Sequence, residues 1–127
     1  MTLEITDEYM NEMRGQAKDY SFVLLTKTAA FGEDSRPTVW EHGRRNFSLR
    51  AQGMVPIVCP ITDDSALAGF YVFNASPDEA RRIMTEDPGV QAGLFTFDVH
   101  PCQGFPGDAL SAWPVPSLSS TAGGKHP

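Results

Sequence analysis

The chain has 127 residues, 41% of them hydrophobic, which is enough for one packed domain and too little for two ordinary ones. Its 16 acidic and 10 basic residues give a net charge of -6, which argues against nucleic-acid or anionic-membrane binding. No run approaches the roughly 18 apolar residues of a membrane span, and the acidic N-terminus lacks a secretory-signal pattern. We therefore expect a cytoplasmic protein.

The first predicted elements are a helix and a strand. Thr6, followed by two acidic residues, predicts the start of an amphipathic helix that ends near Gly15 to Lys18. Tyr20 to Thr26 contains a continuous apolar run, which is typical of a central strand covered on both faces. Residues 28–37 are polar and rich in turn formers, so this segment is expected to be a loop suited to closing over a cleft.

A second helix is predicted from Pro37 to Gln52, with proline in its first turn and Gly53 at its end. At about 100° per residue, one face collects mostly apolar residues, and we expect that face to point into the core. It consists of Trp40, Gly43, Phe47, Ala51 and Met54. His42 falls at the border of this face, where a helix meets the rim of a cleft.

A hairpin follows the second helix. Val55 to Ile61 alternates like a strand but contains Pro56 and Pro60, each of which removes a hydrogen-bond donor, so this strand is expected at a sheet edge. Leu67 to Phe73 provides the third strand, and the two strands form an antiparallel pair.

The last predicted elements are a helix and a strand. Ser76 is a helix N-cap followed by proline and two acidic residues, and it opens a helix through Glu86 that buries three apolar residues. These are Ala80, Ile83 and Met84. Leu94 to Val99 alternates as a fourth strand. From His100 onward the chain is rich in Pro, Gly and Ser, and no packed element is expected there.

The order β-α-β-β-α-β predicts an α+β fold of the ferredoxin-like sandwich type, with both helices on one face of a four-stranded antiparallel sheet. Because the strands offer apolar side chains to the other face as well, we expect a second copy of the sheet to cover it, which makes a homodimer. Residues 1–19 would form an N-terminal helical extension, 20–101 the domain, and 102–127 an irregular tail.

His42 and Asp87 are the candidate residues for chemistry. A histidine titrates near neutral pH and is a candidate general base, although it equally suits a hydrogen bond to a loop. Asp87 precedes Pro88 after a helix and could orient the histidine, although an Asx-turn at a helix end explains it as well.

Other polar residues are weaker candidates. Arg44, Arg45 and Arg50 could bind an anion or simply form a solvated face, and Cys59 could be a nucleophile or a small packed side chain. The two cysteines, Cys59 and Cys102, are expected to be free thiols. Since metal-ligand spacings and glycine-rich phosphate motifs are missing from the sequence, neither a metal nor a cofactor is expected.

Two motifs carry a family resemblance. Ser-Pro-Asp-Glu-Ala opens a helix at Ser76, and Asp-Pro-Gly-Val-Gln-Ala-Gly-Leu runs from Asp87 into the last strand. Together with the element order and His42, they resemble the YCII-related (YciI-like) family over about residues 20–101. The chain departs from that family at Cys59-Pro60, where members often have Gly-Pro, so a thiol side chain projects where glycine would leave space.

The resemblance implies a dimeric α+β barrel with an active-site pair that matches His42 and Asp87. Characterised members of that family include a cofactor-free dehydrochlorinase acting on chlorinated hydroxyhydroquinones, and the wider superfamily includes muconolactone isomerases and cofactor-free oxygenases. Many members have no known activity.

Two hypotheses of function follow. In the first, the protein is a cofactor-independent lyase or isomerase in which the His42–Asp87 dyad moves a proton on an aromatic or enol-type small molecule, with four further residues and the 28–37 loop at the substrate. These are Trp40, Arg45, Asn46 and Cys59. In the second, the protein is a non-catalytic dimeric accessory protein that binds a small molecule in the same cleft. A third idea is that the tail docks on a partner through Trp113 and Leu118.

Overall fold

The computed structural model describes residues 3–112, which fold into an antiparallel sheet with helices on one of its faces. The helices are α1 (Asp7–Gln16), α2 (Arg36–Ala51), α3 (Pro77–Thr85) and α4 (Pro88–Gln91), and a 3₁₀ turn at Glu33–Ser35 precedes α2. The strands are β1 (Lys18–Lys27), β2 (Ile57–Pro60), β3 (Leu67–Phe73) and β4 (Phe95–Gly104).

The sheet has the order β2-β3-β1-β4, and every neighbouring pair is antiparallel. This confirms the ferredoxin-like prediction, including the edge position of β2. An edge strand tolerates Pro60 because the backbone on one side of that strand has no partner strand to which it must donate a hydrogen bond.

The core lies between the sheet and the helices α2 and α3. It is made of the buried side chains Val23, Leu25, Val55, Tyr71, Phe73, Ala80, Ile83, Met84, Leu94 and Phe95. As predicted, Ser76 caps α3 by accepting a hydrogen bond from the backbone N–H of Glu79. Thr6 caps α1 in the same way, but α1 contributes no buried side chain to the core.

The fourth strand is longer than the sequence predicts. The prediction of no packed element from His100 onward is wrong for the first part of that segment, because β4 pairs with β1 as far as Gly104. Pro101 is tolerated there since β4 is an edge strand with one free side. The predicted domain boundaries at 19/20 and 101/102 stay a prediction, and Trp113 and Leu118 lie outside the described residues.

The orientation predicted for α2 is also wrong. Trp40 and Phe47, which were expected to face the core, are 70% and 60% exposed, whereas His42 and Asn46 are both 8% exposed. His42 therefore lies on the buried side of α2. The periodicity argument failed because it assigns burial to apolar residues, while here partners on other elements satisfy two buried polar side chains.

No helix within residues 3–112 is long and apolar enough to cross a membrane.

Candidate active site

The centre of the site is a hydrogen bond between two residues that are 45 positions apart in sequence. His42 Nδ1 lies 2.8 Å from each carboxylate oxygen of Asp87. The Asp87 side chain is fully buried, and the His42 side chain is 11% exposed. Because a carboxylate without a proton can only accept, Nδ1 is the nitrogen that carries hydrogen, and Nε2 of the neutral ring is left with a lone pair.

The chain around α4 fixes the position of Asp87. Asp87 is the N-cap of α4, where its Oδ2 accepts hydrogen bonds from the backbone N–H groups of Gly89 at 2.9 Å and Val90 at 3.2 Å. Pro88 at the first helical position has no N–H to satisfy. One carboxylate therefore caps a helix and orients the imidazole. The contact with His42 and the local turn at the helix end are both present.

Phe95 packs closely against both Gly89 and the ring of His42. A Cβ atom at Gly89 would lie 2.5 Å from Cδ2 of Phe95, so only glycine fits at this position. The rings of Phe95 and His42 are in contact, with centroids 4.8 Å apart. Phe95 thus keeps the imidazole against an apolar wall on one side.

Two neutral polar groups surround the other nitrogen of His42. Nε2 lies 3.3 Å from Nδ2 of Asn46 and 3.3 Å from Oη of Tyr71, and Tyr71 donates its hydroxyl hydrogen to Oδ1 of Asn46 at 3.1 Å. The Asn46 amide can donate to the neutral imidazole, and the Tyr71 oxygen can accept from the protonated one. The network therefore accommodates His42 in both protonation states.

Tyr71 stays a neutral phenol. Burial raises its pKa well above the ordinary range, and the negative charge of Asp87 raises it further. Tyr71 is thus a hydrogen-bonding group in this network and does not act as a base near neutral pH.

Arg45 lies close to Asp87. Its Nη2 donates to the backbone carbonyl of Ile83 at 2.7 Å, and its Nη1 lies 3.9 Å from Oδ1 of Asp87. Within residues 3–112, Nη1 is buried without a hydrogen-bond partner, so its interaction with Asp87 is one of charge. The positive charge of the arginine offsets the negative charge of the buried carboxylate.

A cavity of about 300 Å³ opens in front of His42, at the lower end of the usual size range for small-molecule sites. Its wall is mainly apolar. The lining includes Leu25, Phe31, Val39, Val58, Ile61 and Phe95, with His42, Asn46, Tyr71, Cys59 and Lys27 as the residues with polar or sulfur-bearing side chains. Phe31 comes from the predicted 28–37 loop, so part of that loop does form a wall of the cavity.

The structure divides the four predicted substrate-binding residues into two pairs. Asn46 and Cys59 line the cavity. Trp40 and Arg45 do not: Trp40 points outward from α2, and Arg45 points towards α3 and Asp87. Neither residue lines this cavity, and substrate binding by Trp40 and Arg45 stays a prediction.

Tyr71 and Lys27 are site residues that the sequence argument did not single out. A signal for both is the alternation along their strands, since Tyr71 pairs with Val23 in the sheet and shares the helix-facing side with it. Lys27 follows Val23 and Leu25 at intervals of two along β1, which places it on the same side.

Fold and site together define an α+β protein with a buried histidine–aspartate pair at a small apolar cavity. Within residues 3–112, no group of three or more histidine, cysteine or carboxylate side chains is placed to hold a metal ion. The described part of the chain contains Cys59 and Cys102 as free thiols.

No known family model matches the sequence, and no curated protein does. A solved structure similar to this chain is 5-chloro-2-hydroxyhydroquinone dehydrochlorinase from Burkholderia phenoliruptrix AC1100, in complex with 2,5-dihydroxybenzoquinone. The two share 20% sequence identity over 64% of this chain and 90% of the other, with a TM-score of 0.46. At that level, function has to follow from the geometry of the site itself, and membership of the YCII-related family stays a prediction.

Proposed function

We propose that this protein is a small cofactor-independent enzyme that transfers a proton during elimination or isomerisation of an aromatic or enol-type small molecule. The observation that carries the proposal is the 2.8 Å contact between His42 Nδ1 and the buried Asp87 carboxylate, beside a mainly apolar cavity. A histidine oriented by a carboxylate is a recurring arrangement for a general base.

The proposed step begins with His42 neutral and hydrogen on Nδ1. Nε2 takes a proton from a C–H or O–H bond of the substrate, and the electron pair of that bond enters the conjugated system. In an elimination the pair expels a leaving group with its electrons. In an isomerisation the imidazolium returns the proton to another atom of the same molecule. Asp87 stabilises the imidazolium between the two transfers.

Asn46 and Tyr71 have a supporting part in this step. Their contacts with Nε2 are long, at 3.3 Å each, so a substrate atom can replace them at little energetic cost. When the proton has reached Nε2, Tyr71 Oη is placed to accept it in a hydrogen bond. The apolar wall keeps water away from the imidazolium, which strengthens its attraction to Asp87.

Binding without turnover is the second candidate function, and one observation favours it. Nε2 of His42 already has polar neighbours in Asn46 and Tyr71, so the histidine could serve only to hold the network in shape. This alternative predicts a ligand that is recovered unchanged after incubation with the protein.

The test is proton exchange on carbon acids. Phenolic, quinonoid and enolisable compounds are incubated with the protein in D₂O, and loss of C–H signals is followed by NMR. We expect the wild-type protein to catalyse exchange on at least one of them and His42→Gln to slow it by about 100- to 10,000-fold with the fold intact. Glu41→Gln, on the exposed side of α2, serves as the control. Undiminished exchange by His42→Gln contradicts the proposal.

We also propose that the protein is a homodimer. The sheet face away from the helices carries the partly exposed apolar side chains of Phe22, Leu24, Ile57, Phe70 and Val72, and the rings of Phe22 and Phe70 are in contact. A second copy of the same face is an economical cover for them. Phe70→Asp should give a monomer in light scattering. A monomer mass for the wild-type protein contradicts the dimer, and a dimer mass for the variant contradicts this face as its interface.

The free state of both cysteines agrees with a reducing compartment, and we keep the cytoplasm as the proposed location.

A further inference from the structure

We propose that Lys27 makes the cavity selective for small organic anions, with the lysine ammonium binding a carboxylate or phenolate group and the apolar wall binding the rest of the molecule. This inference names the substrate class for the site, and it rests on the proposed use of the cavity by a substrate.

The first observation is the charge of the cavity wall. Lys27 and His42 line it, and no aspartate or glutamate does. Asp87, the carboxylate nearest to His42, is not a lining residue and is occupied by His42 and the start of α4. With His42 neutral, Lys27 therefore supplies the formal charge of the lining, and it is positive on a protein whose net charge is -6. Such a local field favours an anion in the cavity.

The second observation is that the lysine has no carboxylate partner among residues 3–112. In residues 3–112, Lys27 forms no ion pair within 4 Å, and its ammonium is placed over the ring of Phe31, 5.4 Å from the centroid. Hydrogen bonds from Ser65 lower the pKa of Asp63, and the charge of Lys27 lowers it further. Lys27 is half-buried, so an unpaired ammonium there gains more from an anion than a fully solvated lysine would.

The position of Lys27 connects the charge to the rest of the site. Lys27 pairs with Phe95 across the β1–β4 ladder, and Phe95 contacts both Phe31 and the ring of His42. The aromatic surface thus runs from the lysine to the base. A planar acid lying on this surface would have its charged group at Lys27 and its ring towards His42.

The size of the cavity limits the ligand. A volume of about 300 Å³ is at the small end for ligand sites, so the class is a single-ring or similarly small acid rather than a nucleotide or a lipid. Lys27 is in this account a specificity-determining residue, while proton transfer stays with His42.

The experiment measures binding, not turnover, with two pairs of probes that differ in charge: benzoate with benzamide, and salicylate with salicylamide. Dissociation constants are measured by calorimetry or ligand-observed NMR on the full-length protein. We expect at least one acid to bind about tenfold or more tighter than its amide, which corresponds to about 1.4 kcal/mol. Lys27→Met should remove that preference, and Lys27→Arg should keep it.

Lys18→Met is the matched control, because Lys18 lies at the other end of the same strand and donates to Asn74 Oδ1. It should leave the preference unchanged. Equal affinity for acid and amide in the wild-type protein, a preference that survives Lys27→Met, equal loss in Lys18→Met, or no binding of either acid overturns the inference. Failure of the proposed function looks different: His42→Gln would then keep full exchange activity, whatever the probes show.

Discussion

On its inward face, α2 presents His42 and Asn46, each 8% exposed, whereas on its outward face Trp40 is 70% exposed. The buried side of this helix thus carries two polar side chains beside Leu49, which packs against the core. Such an arrangement is stable only if each buried polar group has a partner, and here Asp87 and Tyr71 provide them. The comparison shows that α2 is oriented by its hydrogen-bond partners as much as by its apolar surface.

The largest expected effect comes from removing Asp87, which holds the inward face in place. Asp87→Ala leaves the partly buried Arg45 without its nearby negative charge and frees two N–H groups at the start of α4. We expect the free energy of unfolding to fall by about 3–5 kcal/mol in chemical denaturation. The exposed Asp78→Asn, as a control, should change it by at most about 1 kcal/mol. Equal effects in both variants would show that Asp87 does not organise the site.

Tyr71→Phe has an intermediate expected effect with a dependence on pH. The variant leaves the buried Oδ1 of Asn46 without a donor, which costs about 1–3 kcal/mol near neutral pH. Since burial raises the Tyr71 pKa, the neutral phenol stabilises the fold fully below its ordinary pKa of about 10. That stability is lost as the pH rises from about 10 towards the raised value.

The difference in stability between wild type and Tyr71→Phe should therefore shrink above about pH 10. Urea unfolding at several alkaline pH values measures it, and Tyr9→Phe on the exposed side of α1 is the control. A constant difference between wild type and Tyr71→Phe across this pH range contradicts the assignment of Tyr71 as a buried neutral donor.

The smallest expected effect belongs to the outward face. Trp40→Ser should change the free energy of unfolding by no more than about 0.5 kcal/mol, because this side chain has few contacts to lose. Leu49→Ser on the same helix, at a position that packs against the core, should cost about 2 kcal/mol or more. A large loss of thermal stability in Trp40→Ser would mean that another surface covers the outward face.

Much of the fold follows from local sequence signals. Ser76 with Pro77 predicted the start of α3, and alternation with Pro60 predicted β2 as an edge strand, because both signals act within a few residues. The orientation of α2 could not be predicted in this way. The orientation of α2 depends on Asp87 and Tyr71, which are distant in sequence, and the residues of α2 do not indicate that contact.

The site, like the fold, could be predicted from the sequence only in part. The residues alone made Asp87 one possible partner of His42, and the family resemblance favoured that pair. The structure brings the two side chains into hydrogen-bond contact. Tyr71 was missed since an alternating strand identifies a buried tyrosine but not the partner of its hydroxyl. Trp40 was misplaced because a large apolar residue on a helix was assigned to the core.

The most direct measurement of the central claim is the protonation pattern of the His42 ring, observed by long-range ¹H–¹⁵N NMR at a pH where the ring is neutral. We expect hydrogen on Nδ1, facing Asp87, and a bare Nε2 available to the cavity, with the preference lost in Asp87→Ala. A neutral ring with hydrogen on Nε2 would contradict the account, because the nitrogen that faces the cavity could not then accept a proton.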